Sequence, residues 1–263
     1  MELFDSHAHY NDEKFAQDRA EVLHEIYESG VTKLINAGYS LESSKLALEI
    51  AKQYDWIYTI SGISPNDIPD NENELEKQIN ELKEFIISEK GSKKIVAIGE
   101  IGLDYYWNKE NSGLQQTAFK KQIQLANEQG LPIVIHTREA VMDTISILKE
   151  NEPIQKGIFH CCPLNRELVK EALKLGFYIS FAGPVTFKNS KNANEIIQMV
   201  PLDRILIETD SPYLSPEPNR GKRNDSRNVK YIAGKIAEVK GMSLDDIAKA
   251  TYDNACKIFG LLN

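Results

Sequence analysis

Five histidines occur in 263 residues, and four of them fall where a short apolar run ends. His7 and His9 form an H-x-H at the end of the first run, His136 closes the fifth and His160 the sixth. Two acidic residues share that placement, with Glu100 closing the fourth run and Asp210 the eighth. Alternation along an extended segment sends His7 and His9 to one side. Four imidazoles and two carboxylates exceed what one four- or five-coordinate ion accepts. They suit two divalent ions about 3.5–4 Å apart, bridged by a carboxylate and a water. Mixed nitrogen and oxygen ligation favours zinc or manganese, while magnesium prefers oxygen. A single buried histidine is more often a hydrogen-bonded core residue, but four at equivalent strand ends point to metal. His24, inside RAEVLHEIYESG, lies outside the pattern and reads as a surface residue without a catalytic role.

A water shared by two cations loses much of its proton affinity, so hydroxide exists at neutral pH. Asp210 is the residue expected to orient that water and receive its proton. Asp210 and Glu100 are the expected catalytic residues. No Ser/His/Asp arrangement supplies a covalent nucleophile. Asp5 and Glu208 are candidate partners for the histidines, although each reads equally well as structural.

The elements that must position these groups are legible as eight apolar runs. Their limits are roughly Glu2–His7, Thr32–Ala37, Trp56–Gly62, Lys94–Glu100, Pro132–His136, Gly157–His160, Phe177–Phe181 and Arg204–Asp210. IVAIGE, IVIHT and ILIETD are nearly continuous in β-branched residues, as strands buried on both faces are. Between them lie helical patterns: Val22 and Ile26 with Gly30 as a stop; Leu75, Ile79, Leu82 and Ile86; and Val141, Ile145 and Leu148. Ser243 and Asp246 read as a capping pair for a last helix that carries Ile247, Ala255, Ile258 and Leu262 inward. Strands alternating with helices at roughly one unit per 33 residues predict a (β/α)₈ barrel, one domain over residues 1–263. The competing fold is a doubly wound open sheet, but no G-x-G-x-x-G follows the first strand. In a parallel barrel all strand C-termini open on one face, so six separated residues converge there.

Composition excludes several classes. A formal charge of -8 argues against coating nucleic acid through bulk positive charge, though not against a site where metal supplies it. Three cysteines, with Cys161 and Cys162 adjacent, make no disulfide framework and predict a reducing, cytoplasmic setting. MELFDSHAHY lacks the pattern of a secretory signal, and no apolar stretch approaches membrane-spanning length. No membrane association and no obligate protein partner are expected.

At the candidate ligands the sequence resembles the TatD family of metal-dependent deoxyribonucleases, within the amidohydrolase-like barrels. DSHAHY resembles the family's opening D-[ST/CA]-H-x-H, and GEIGLDYY (99–106) its G-E-[IT]-G-L-D. PIVIHTREA (132–140) and ETDSPYL (208–214) are similar to P-[VI]-x-[IL]-H-x-R-[ED]-A and E-T-D-[SA]-P-[YF]-L. The resemblance runs essentially end to end. It implies one ion on His7, His9, Glu100 and Asp210, a second on Glu100, His136 and His160, and exonucleolytic trimming of DNA. Three places depart from the pattern: Ser64 replaces a usual histidine, Cys162, Pro163 and Leu164 alter the segment after His160, and Asp225 and Ser226 replace Glu and Pro.

For the substrate, Arg138 follows His136 by two residues, and guanidinium forks match phosphate oxygens. The proline-bearing segment from Ser211 to Arg227 has no helical period and adds Arg220, Lys222, Arg223 and Arg227. A loop this long in a compact domain is usually functional. Tyr105 and Tyr106 are candidates to stack on a base, with packing at the barrel rim as the alternative. The function expected is 3′-to-5′ hydrolysis of single-stranded DNA ends with two divalent ions (magnesium, manganese or zinc). The alternatives are hydrolysis of an aminoacyl-tRNA ester or a small amide, since the same core attacks either, and a non-catalytic barrel.

Overall fold

A computed structural model describes residues 1–261, so the expected inward placement of Leu262 lies outside the described residues. All eight strands form: β1 (Leu3–Ala8), β2 (Val31–Ala37), β3 (Ile57–Ser61), β4 (Ile95–Asp104), β5 (Ile133–Arg138), β6 (Gly157–Phe159), β7 (Tyr178–Phe181) and β8 (Ile205–Ile207). They pair in parallel, in chain order, as one eight-stranded sheet. The first and last strands meet through bonds just beyond their ends. Asp210 N donates to His7 O at 2.9 Å and His9 N to Ser211 O at 2.7 Å, giving the nearly closed (β/α)₈ barrel expected.

The helices follow the strands: α1 (Arg19–Glu28), α2 (Leu41–Lys52), α3 (Glu72–Ser88), α4 (Ser112–Gln129), α5 (Val141–Glu150), α6 (Arg166–Lys174), α7 (Ala193–Met199), α8 (Val229–Lys240) and α9 (Leu244–Ile258). The apolar stripes named above are buried, Val141 and Ile258 only in part. Ser243 caps α9 by accepting from Asp246 N at 3.1 Å. Among the described residues, no helix is long and apolar enough to cross a membrane.

The core divides in two, as a barrel requires. Phe4, Ile35, Ile60, Ala97, Val134, Ile158, Tyr178 and Leu206, one from each strand, pack together and against Phe259. Tyr252 of α9 packs on this group and reaches Thr32 near the start of β2. A larger cluster joins the outer strand faces to the helices. The end near the strand starts is therefore plugged with apolar side chains, and the polar groups collect at the opposite end.

Two strand limits differ from expectation by three residues or more. Glu100 does not end its strand: β4 runs on to Asp104, with a register shift between Ile98 and Ile101 against β5. Gly102, inside the extended strand, permits close approach. A Cβ there would stand 2.0 Å from His136 O. β8 ends at Ile207, three residues before Asp210, because the chain turns inward to meet β1.

Candidate metal centre

The six expected ligands converge at the C-terminal end of the barrel. His7 Nε2 and His9 Nε2 lie 3.2 Å apart. Glu100 Oε2 is 3.5 Å from the former and 3.9 Å from the latter, and Asp210 Oδ1 is 3.8 and 3.3 Å away. The other oxygen of Glu100 faces a second group. Oε1 lies 2.9 Å from His136 Nδ1 and 3.2 Å from His160 Nε2, which are themselves 3.3 Å apart.

The remaining ring nitrogens fix which atom faces inward. His9 Nδ1 stands 3.1 Å from Ala37 O, and His136 Nε2 stands 2.9 Å from Asp104 Oδ2. Both partners only accept, so both nitrogens donate. The inward nitrogens then point either a proton or a lone pair at carboxylate oxygens, and a lone pair is tolerable there only around a shared cation. His160 Nδ1 lies 3.4 Å from Glu208 Oε1, an ion-pair distance without hydrogen-bond alignment. That Glu208 oxygen accepts from Cys161 N at 2.7 Å. Outer partners of this kind orient metal-binding imidazoles and raise their basicity. The donor set fits divalent ions of the zinc or manganese type.

Electrostatics follow from burial and crowding. Burial opposes the charged form of His9, His136 and His160, but the neighbouring carboxylates outweigh it and raise all three, His160 well above the usual imidazole range. His7 moves the other way, lowered by burial and by the charge on His160. Burial alone would push Glu100 up, yet His160, His136 and His7 hold it well below the usual carboxylate range. Asp210 is likewise lowered against its burial, chiefly by His9.

A cleft of about 880 Å³ opens over these groups. Its lining includes His9, Glu100, His136, His160 and Asp210, with Asn66, Trp107, Arg138 and Leu214 around them.

Comparison with known proteins decides the family. The family described as TatD related DNase matches residues 4–260. This chain belongs to the TatD family. Within it, the chain is 43% identical to the metal-dependent hydrolase YabD of Bacillus subtilis over 258 residues, covering 98% of each. It is 35% identical to the metal-dependent hydrolase YcfH of Escherichia coli K12, covering 98% of this chain and 96% of that one. The crystal structure of YJJV, a TatD homologue from Escherichia coli K12, superposes with a TM-score of 0.91 at 24% identity, covering 98% of both chains, which shows the shared fold. The chain is a metal-dependent hydrolase.

Other expected site residues of this TatD barrel are dispersed. Asp5 is fully buried and ties the first strand to the loop after the last. It accepts from Thr209 N at 2.9 Å, Thr209 Oγ1 at 2.5 Å and Ser226 Oγ at 2.5 Å. Burial pushes its carboxyl up to about 7, against those donors. Ser226, where the TatD pattern has proline, thus works as a clamp. Ser64 is buried and donates to Asp67 Oδ2 at 2.6 Å, leaving Asn66 to face the cleft.

Tyr105 does not reach the cleft, because its hydroxyl donates to Asp143 at 2.7 Å on the outer side of the rim. Arg220, Lys222 and Arg223 do not line it either. Arg223 forms a two-pronged pair with Asp18 at 3.0 and 2.5 Å, and Arg220 packs 4.3 Å over Phe187. Arg227 pairs with Asp225 and Glu25. Arg138 alone of these arginines borders the cleft. His24 is exposed on α1, away from the cluster.

Asp104 and Trp107 belong to the site although the strand-end pattern does not nominate them. The only signal for Asp104 was its place in GEIGLDYY, which a strand thought to stop at Glu100 hid.

Proposed function

We propose that the chain is a two-ion phosphodiesterase that trims single-stranded DNA from the 3′ end. One observation carries the two-ion part of this reading: the two oxygens of Glu100 face two separate imidazole groups, as a bridging carboxylate must. In this reading His7, His9, Glu100 and Asp210 hold one ion, and Glu100, His136 and His160 the other. Bound by these residues, divalent ions would neutralise phosphoryl oxygens and lower the pKa of water.

The chain's own groups do the rest. Asp210 is kept in its carboxylate form by His9, so its Oδ1 is ready to orient the attacking water and take its proton. Asp104 and Ala37 O keep the inward nitrogens of His136 and His9 aimed at the centre, and Glu208 lies at ion-pair distance behind His160. Arg138 offers a planar fork to the phosphate on the open side of the cleft. The family's description as a DNase supports a nucleic-acid substrate. Three free thiols are consistent with action in a reducing compartment.

The test is a panel of end-labelled single-stranded DNA, duplex DNA, RNA and aminoacyl-tRNA with Mg²⁺, Mn²⁺ or Zn²⁺. Stepwise shortening of single-stranded DNA from the 3′ end, abolished by chelation, is the expected result. Intact DNA beside rapid deacylation of aminoacyl-tRNA would contradict it.

A further inference from the structure

We propose that Trp107 is the base-stacking residue of this site, carrying the unpaired nucleobase beside the phosphate that Arg138 holds. The proposal rests on the nucleic-acid reading above and adds to it a residue and a reason for single-strand preference.

Trp107 is 68% exposed at the edge of the cleft, and it lines that cleft together with Arg138 and His136. An indole this exposed gives up most of the burial free energy that usually holds tryptophan in place. It is nonetheless held by its backbone: Asp104 Oδ1 accepts from Tyr106 N at 3.0 Å and Trp107 N at 3.1 Å. The other oxygen of Asp104 holds His136. One carboxylate therefore sets both a candidate metal ligand and the turn that presents the indole. Gln116 donates to Tyr105 Oη at 2.9 Å and braces the start of that turn. A turn ordered in advance spares its own ordering entropy when a ligand lands on it.

Arg138 completes the subsite. Its guanidinium lies 3.7 Å over the ring of Tyr106 and 5.5 Å from that of Trp107. Among the described residues it has no carboxylate within ion-pair distance, whereas Arg223 and Arg227 are both neutralised. An unpaired cation beside an exposed indole matches a phosphate next to a base. Every base has a π-face, so stacking of this kind tolerates sequence. It requires a base that is free, which a duplex does not offer.

The chain has two tryptophans, so Trp56→Phe leaves Trp107 as the sole indole fluorophore. In that background a short single-stranded oligonucleotide should quench the emission as it binds. Trp107→Ala should weaken binding, followed by anisotropy of a labelled strand, about tenfold, with Trp107→Phe in between. An abasic 3′-terminal nucleotide should cost the wild type the same factor and Trp107→Ala nothing further. Absent quenching, an unchanged affinity in Trp107→Ala, or additive penalties would overturn the stacking role. Binding with quenching but without cleavage would overturn the nuclease reading and keep this one. Cleavage without quenching would do the reverse.

Discussion

Asp104 Oδ2 accepts from His136 Nε2 at 2.9 Å, which leaves His136 Nδ1 facing Glu100 Oε1 at the same distance. A carboxylate cannot donate, so the hydrogen bond selects the tautomer in which Nδ1 is free to ligate. Burial would raise the Asp104 carboxyl, but His136 and the backbone donors keep it lowered.

Asp104→Asn turns this preference around. The amide can still accept from Tyr106 N and Trp107 N, yet it presents an N–H to His136 Nε2. The ring then favours the tautomer with a proton on Nδ1. Affinity for the ion on the His136 side should fall about 10- to 100-fold, with circular dichroism unchanged. Metal titration followed by calorimetry measures it, and undiminished affinity would contradict the orienting role.

The histidine shifts make a prediction about pH. His160, His136 and His9 are raised by their carboxylates in the metal-free protein. A raised histidine stabilises the fold fully below its unfolded pKa of about 6.5 and loses that contribution as pH rises through the folded value. Asp5, raised to about 7, acts in the same direction at lower pH. The melting temperature of chelated protein should therefore fall as pH is raised above neutrality. With Mn²⁺ or Zn²⁺ present it should rise instead, because binding displaces the same protons and tightens as they leave. Parallel slopes with and without metal would contradict this.

The cations make a third. Arg138→Ala should flatten the salt dependence of single-strand binding by about 0.7 in slope, with saturated turnover affected less. Arg223→Ala should leave that slope unchanged. Its exposed pair with Asp18 contributes under about 1 kcal/mol, which thermal melts would register as a small loss. A salt series on each variant separates them, and a flattened slope in Arg223→Ala alone would reverse the assignment.

The fold was legible because buried parallel strands have an unmistakable composition, and IVAIGE, IVIHT and ILIETD left no other period to fit. The ligand cluster was legible for a related reason. Strand ends in a parallel barrel share one face, so residues as far apart as His7 and Asp210 could be brought together without coordinates. What escaped depended on side-chain direction. Arg223 and Tyr105 look available in sequence, but Asp18 and Asp143 claim them across separations that no local pattern reports. Asp104 was hidden because the fourth apolar run ends at Glu100, whereas Gly102 lets β4 pass close to His136 O and run on. Ser226 read as a departure from the TatD pattern and turned out to anchor the long loop to Asp5.

The bridging role of Glu100 is the centre of the account, and metal stoichiometry tests it most directly. Purified wild type loaded with Mn²⁺ or Zn²⁺ and counted by plasma mass spectrometry should hold two ions per chain, with hydrolysis of single-stranded DNA appearing as the second is taken up. Glu100→Ala should hold fewer than two and hydrolyse nothing, with circular dichroism like that of the wild type. Two tightly held ions and wild-type turnover in a well-folded Glu100→Ala protein would contradict the account.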